Sequence, residues 1–147
     1  MTERAPLDDY GELTAPATLT IQRLLPGPIE LVWRNDDLTD PPGQRPPGVS
    51  AEHRMPSRII ELDPPRKLTI AWEGTGDVTF ALEPQGTEVL LTVIHRRLPN
   101  RPTLLGVSAG WHMHLDVLVA RATGQEPGPF WDGLSRLRQA YDRRLPA

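Results

Sequence analysis

Apolar and polar residues alternate with a period of two through most of the chain, then switch to a period near 3.6 in its last third. Thr18–Leu24 (TLTIQRL) sets Leu19 and Ile21 on one face against Thr18, Thr20 and Gln22 on the other, the pattern of a half-buried strand. Pro26-Gly27-Pro28 ends it, and Glu30–Asn35 (ELVWRN) is a second short apolar strand. Asp36–Gly48 holds four prolines and two glycines, so it reads as an exposed loop between strands. Strands are expected next at Arg54–Leu62, Lys67–Trp72, Val78–Glu83 and Thr87–Arg96. They are separated by turns at Asp63-Pro64-Pro65-Arg66, Glu73–Asp77 and Pro84-Gln85-Gly86. Short strands joined by such turns predict an antiparallel meander.

The period changes after Leu98–Gly106, a Pro/Asn-rich stretch read as a loop. Ser108–Ala122 places Trp111, Leu115, Leu118, Val119 and Ala122 on one helical stripe. Ser108 is the expected N-cap and Gly124 the expected stop. A second helix is expected from Pro129 or Phe130 to Arg144, with Trp131, Leu134, Leu137 or Arg138, and Tyr141 along one side. A run of strands followed by helices is an α+β pattern. A helix lying across a concave sheet can leave an apolar pocket between them. Residues 1–16 lack periodicity and read as a mobile N-terminal arm, which leaves 17–147 as one domain.

Composition narrows the possibilities. The chain has 147 residues, enough for one domain with a core of its own. It has no cysteine, which excludes disulfides, thiolate zinc sites and cysteine nucleophiles. The net charge of −3 argues against a nucleic-acid partner. No window holds 18 apolar residues, so no membrane span is expected, and the acidic start MTERAPLDDYGELTAP is unlike a signal peptide. A cytoplasmic location is the expectation that fits. Seventeen prolines, about twice the usual ~5%, disfavour long helices before residue 102.

Several stretches together resemble a known family. They are Thr20-Ile21-Gln22-Arg23 with Pro26-Gly27-Pro28-Ile29-Glu30; Ile60-Glu61-Leu62-Asp63-Pro64-Pro65-Arg66-Lys67-Leu68 through Trp72; the Val89–His95 strand; and Gly110-Trp111 with Leu115, Leu118 and Gly124. In these the chain resembles bacterial homologues of the C-terminal domain of the heat-shock protein 90 ATPase activators, within the START-like, helix-grip (SRPBCC) superfamily. The resemblance covers roughly residues 18–124. It implies a curved antiparallel sheet wrapped on a long C-terminal helix, with an extra C-terminal helix here. One feature departs from the family: Ile29-Glu30-Leu31-Val32-Trp33 matches the opening of a helix that follows the first strand, yet Leu31–Asp37 reads equally well as the end of a later strand. Two short helices and part of a strand are thus skipped after the first strand, roughly 25–30 residues from mean element lengths. Either the chain lacks that lid, or residues are missing between Ile29 and Arg34.

Candidate chemistry is sparse. Gly106-Val107-Ser108-Ala109-Gly110 matches the G-x-S-x-G elbow, but His112 and His114 precede Asp116 and no histidine follows it, the wrong order for a triad. His112 and Asp116 stand at i, i+4 and can pair. His112 and His114, at i, i+2, point apart and cannot chelate one ion. Asp36, Asp37 and Asp40 lack the glycine and glutamate of a calcium loop and read as turn residues. No metal or cofactor is expected, and no residue is assigned a catalytic role.

The resemblance implies a ligand site at Trp72, Phe80, His95, Trp111, Leu115 and Leu118. The same aromatic residues would equally serve as core filling, and His95 would serve either at the cavity mouth or as a partly exposed structural residue. The leading expectation is a carrier or sensor for a small apolar or amphipathic molecule. A chaperone ATPase-activating interaction module and a cyclase or hydrolase using the same cavity are the alternatives. If the lid is absent, the sheet face between Ile21 and Trp33 would be bare, and a homodimer would cover it.

Overall fold

The computed structural model describes residues 12–20, 29–72, 74 and 76–147. The strand expected at residues 18–24 is seen as β2 (Thr18–Thr20), paired antiparallel with β1 (Glu12–Ala15). The strand's remainder, the Pro26-Gly27-Pro28 turn and the first eleven residues of the expected arm lie outside the described residues. The last part of that arm, Glu12–Ala15, is strand.

β3 (Ile29–Arg34) is the second expected strand. It pairs residue for residue with β4 (Glu52–Ser57), from Ile29 opposite Ser57 to Arg34 opposite Glu52. Ile29, Leu31 and Trp33 turn inward and Glu30, Val32 and Arg34 outward. The Ile29–Arg34 segment is therefore unbroken strand, and its helical alternative is corrected. After it comes only a short 3-10 turn, Asn35–Asp37. Among the described residues no α-helix precedes Arg101.

The strand expected over Arg54–Leu62 breaks at Arg58 into β4 and β5 (Ile59–Asp63). β5 joins β6 (Lys67–Ala71), β7 (Asp77–Gln85) and β8 (Glu88–Arg96) in a four-stranded antiparallel meander in that order. Two bonds couple the two sheets across the break: Ser57 Oγ to the Ala71 carbonyl at 2.7 Å, and Ala71 N to the Arg58 carbonyl at 2.9 Å. The register places Leu68 opposite Phe80 and Phe80 opposite Val93, and Ile70 opposite Val78 and Val78 opposite His95. These are rows on the inner face.

The first long helix, α1, runs from Arg101 to Ala122 and so starts seven residues earlier than the pattern suggested. Asn100, not Ser108, is the N-cap: its side chain accepts from the Thr103 amide at 2.9 Å. Pro102 lies in the first turn, where its missing N–H is not needed. The helix stops as expected at Gly124, which has φ +72°. Gln125 N reaches the Ala120 carbonyl at 2.7 Å and Gly124 N the Arg121 carbonyl at 3.4 Å, a Schellman closure. α2 runs from Phe130 to Arg144, within the expected bounds.

The expected burial of α1 needs correction. Its buried residues are Leu105, Ala109, Met113 and Val117, while Leu118 and Val119 are more than half exposed. Met113 and Val117 pack with Phe130 and Trp131 of α2, and Leu38, Leu134 and Leu137 close around them. The main core thus lies between the two helices. Of the stripe expected from the sequence, Trp111 packs against the sheet, on Trp72 and Phe80, while Leu118 and Val119 point to solvent.

The loop after β3 is less exposed than its proline content suggested, because it and the start of α2 complete each other. A helix start leaves backbone N–H groups without partners. Here Thr39 Oγ1 accepts from Phe130 N at 2.9 Å and the Pro42 carbonyl from Trp131 N at 2.9 Å. In return Asp132 accepts from Gln44 N at 3.0 Å, and Asp36 accepts the Trp131 indole N–H at 2.7 Å. Gly43 sits at φ +81°, and a Cβ there would lie 2.8 Å from the Asp132 carboxylate, so the position requires glycine.

Thr39→Val keeps the shape but leaves the buried Phe130 N–H unpaired. A urea melt should show a loss of about 1–3 kcal/mol. A change below about 0.5 kcal/mol, the size of an ordinary surface substitution, would mean that the clamp contributes nothing.

Candidate functional site

The inner faces of β3 and β6–β8 meet the sheet-facing side of α1 in a cluster of rings. Trp33 and Trp72 lie 5.5 Å apart between centroids, Trp72 and Trp111 5.8 Å, and Phe80 and Trp111 5.5 Å. His95 packs on Trp72 at 4.8 Å, and Trp33 packs on His53, its cross-strand partner, at 5.3 Å. Most of these contacts are edge-on or tilted, the favoured geometry for aromatic pairs.

The helix side of this cluster is not filled. Gly106, Gly110 and His114 recur at i, i+4 and i+8 and share one face. A Cβ added at Gly110 would meet nothing within 4 Å. The space left is a pocket of about 220 Å³, lined by Trp33 and Trp72 from the strand side and by Gly106, Val107, Gly110, Trp111 and His114 of α1. It runs on into an outer chamber of about 450 Å³ that shares Trp33, Trp72, Gly106, Gly110 and His114. The outer chamber adds Asn35 and His53, the Gly48–Ala51 stretch of the loop, and Phe130, Trp131 and Leu134 of α2. The clamped loop and the second helix therefore form the pocket's outer wall.

The structure brings together four of the six residues expected at the site. Trp72 and Trp111 line the pocket. Phe80 and His95 support Trp111 from behind and are not among the residues lining either chamber. Leu115 lies on a separate open groove of about 450 Å³ between α1 and α2, with Val93, Ser108, His112, Asp116 and Tyr141. Leu118 is 51% exposed and lines neither.

Sequence reasoning missed Trp33, Asn35, His53, His114 and the two glycines. Trp33 was visible only as part of a short apolar strand; the structure's alternation along β3 is what turns it inward with Leu31. The glycines were visible too, but as parts of a nucleophile-elbow pattern; on a helix their spacing clears one face.

Two histidines are set by their neighbours. The Trp111 indole N–H donates to His95 Nδ1 at 3.1 Å, so the neutral ring carries its proton on Nε2. Burial pushes His95 below its ordinary value of 6.5, with the Asp77 carboxylate pulling the other way. His114 is more deeply buried and is also pushed down, against its bond to the Gly110 carbonyl. Its Nδ1 lies 2.7 Å from that carbonyl and therefore carries the proton; Nε2 of the neutral ring is then an acceptor, which the Asn35 carboxamide 3.1 Å away satisfies by turning its NH2 toward the ring. Phe130 packs on the His114 ring at 5.0 Å.

In the separate groove His112 does pair with Asp116, at 3.6 Å, and its Nδ1 lies 2.8 Å from the Tyr141 hydroxyl. These exposed contacts tie α1 to α2. Among the described residues no three His, Asp or Glu side chains are grouped to hold a metal ion.

A curved antiparallel sheet wrapped toward a long helix, with an aromatic-walled pocket between them, defines a START-like, helix-grip protein. The chain belongs to the Activator of Hsp90 ATPase homolog 1-like protein family, whose model matches residues 37–123. The match starts after β3, so the Thr20–Glu30 stretch that also resembled the family lies outside it. The chain is similar to a protein from Bordetella parapertussis solved by solution NMR: 31% identity, 86% of this chain and 70% of that one covered, TM-score 0.65. No curated protein matches. Among the described residues no helix is long and apolar enough to cross a membrane.

Both depressed histidines give stability a common pH dependence. The unfolded chain binds protons at these rings near 6.5, while the folded chain holds them neutral to a lower pH. Their contribution is therefore complete above 6.5 and declines as pH falls through the folded values. A proton NMR titration should find the His95 and His114 midpoints below 6.5; midpoints at or above it would contradict the buried placement.

Proposed function

We propose that the chain binds a small hydrophobic or amphipathic molecule between the sheet and α1, as a carrier or sensor. The observation that carries this reading is the unfilled helix face at Gly110, in a pocket lined by the Trp33, Trp72 and Trp111 rings. An apolar lumen with a few polar groups at one end is the usual form of a small-molecule site. Asn35, His53 and His114 supply those groups. The binding residues on this reading are Trp33, Trp72 and Trp111 as walls and His114 with Asn35 as the polar end. Phe80 and His95 hold Trp111 in place.

Gly110→Leu places a branched side chain in the lumen. It should abolish the thermal stabilisation that a library of small apolar compounds gives the unaltered protein. Equal stabilisation of both proteins would place binding elsewhere, and a broad library with no hit would refute the reading.

The family match supports a second reading, an interaction module acting on a chaperone ATPase. Leu118 and Val119, outward on α1, offer apolar surface for such a contact. Adding the protein to an Hsp90 ATPase should then change its turnover, and Leu118→Glu should cancel the change. Unchanged turnover at excess protein would dismiss this reading.

A further inference from the structure

We infer that His112 and Asp116, in the groove between α1 and α2, hold an exchangeable divalent transition-metal ion such as zinc between them. The site is separate from the pocket and does not depend on the ligand-binding reading. Two rows of residues at i, i+4 and i+8 run along α1. Gly106, Gly110 and His114 line the pocket, whereas Ser108, His112 and Asp116 line the groove. The rows lie on either side of the buried Met113 and Val117, so the two sites open in different directions.

The distance between the two side chains suits a shared ion. His112 Nε2 and Asp116 Oδ2 are 3.6 Å apart, longer than a normal hydrogen bond. Two ligand atoms of one tetrahedral zinc, each about 2.0–2.1 Å from the metal, lie ~3.4 Å apart. The i, i+4 spacing brings both ligands from successive turns of one rigid helix.

The far side of the imidazole is held as a metal ligand's is. His112 Nδ1 lies 2.8 Å from the Tyr141 hydroxyl, and the two rings meet edge-on with centroids 5.7 Å apart. When Nδ1–H donates to the tyrosine oxygen, Nε2 turns its lone pair toward the carboxylate. Two acceptors then face each other, and a cation between them converts that repulsion into two bonds. A histidine that ligates a metal usually has its other ring nitrogen fixed by such a partner, so Tyr141 is a positioning residue here.

The surrounding charge leaves the carboxylate available. Among the described residues Asp116 makes no ion pair with an arginine or lysine, and neither residue type lines the groove. Arg144 borders an adjoining cleft that shares His112 and Tyr141 but not Asp116. One imidazole and one carboxylate suit zinc, nickel or copper, whereas calcium and magnesium prefer oxygen ligands alone. Among the described residues no third His, Asp or Glu joins the pair, so water completes the coordination and the ion exchanges freely.

Zinc chloride titrated into the untagged protein tests this, by calorimetry and by nitrogen NMR of the histidine rings. The titration is run at about pH 7.5, where an ordinary imidazole is neutral. The expected result is one site, with the Nε2 signal of His112 shifting to that of a metal-bound nitrogen while Nδ1 keeps its proton. His112→Gln and Asp116→Asn, both at exposed positions, should each weaken binding roughly tenfold or more. Zinc affinity unchanged by either substitution would overturn the inference. So would a shift confined to another histidine, or metal on Nδ1 of His112. No heat and no shift at about 1 mM zinc would overturn it as well.

Discussion

Helix α1 buries Met113 and Val117 against α2 and sends only Trp111 to the sheet. Leu105, Ala109, Met113 and Val117 form one continuous stripe, and Phe130 and Trp131 complete the core that Met113 and Val117 enter. Close approach is possible because α2 carries Gly133 beside Met113, where a Cβ would lie 2.5 Å from the sulfur. With its core formed on that side, α1 needs little contact with the strands. Its sheet-facing side carries glycines at 106 and 110, and Trp111 is the ring that spans the gap to Phe80 and His95. The pocket follows from this division of labour along a single helix.

The second support is the clamp between the loop and α2. A loop with so many prolines has few backbone donors and cannot hold its shape by internal pairing. The first turn of α2 has donors without acceptors. Thr39, Pro42, Asp36 and Asp132 satisfy both needs at once, and the joined unit closes the outer chamber over Asn35 and His53. The family match covers the loop, the meander and α1 but stops before α2. The outer wall therefore combines family framework with a helix beyond the matched region.

Much of the fold was legible because one face of each strand and of each helix is apolar. The meander, the stop at Gly124 and the bounds of α2 followed from period and turn chemistry alone. What misled was local and physical. Pro102 looked like a helix breaker, yet in a first turn it is harmless. Trp111, Leu115, Leu118 and Val119 make a convincing stripe, but two apolar faces compete on α1, and only tertiary packing decides which is buried. The break at Arg58 was hidden because strands on either side of a bend carry the same residue types. The site was half legible: the family resemblance pointed to Trp72 and Trp111, which the residues alone would equally have assigned to core filling. Asn35, His53 and His114 did not stand out, since a polar residue gains meaning only when the fold brings three elements together. The expected bare face between Ile21 and Trp33 is only partly described. At its described end Trp33 packs on Trp72 and His53, so that residue creates no demand for a dimer.

The central claim is that the space beside Gly110 is open in the folded protein and not a packed core. Denaturant unfolding of Gly110→Leu without any ligand tests it most directly. An open pocket accepts the side chain, and leucine also favours the helix over glycine by about 0.8–1.0 kcal/mol. The account therefore predicts unchanged or increased stability. A packed interior would instead lose about 1–3 kcal/mol to overpacking, and a loss of that size would contradict it.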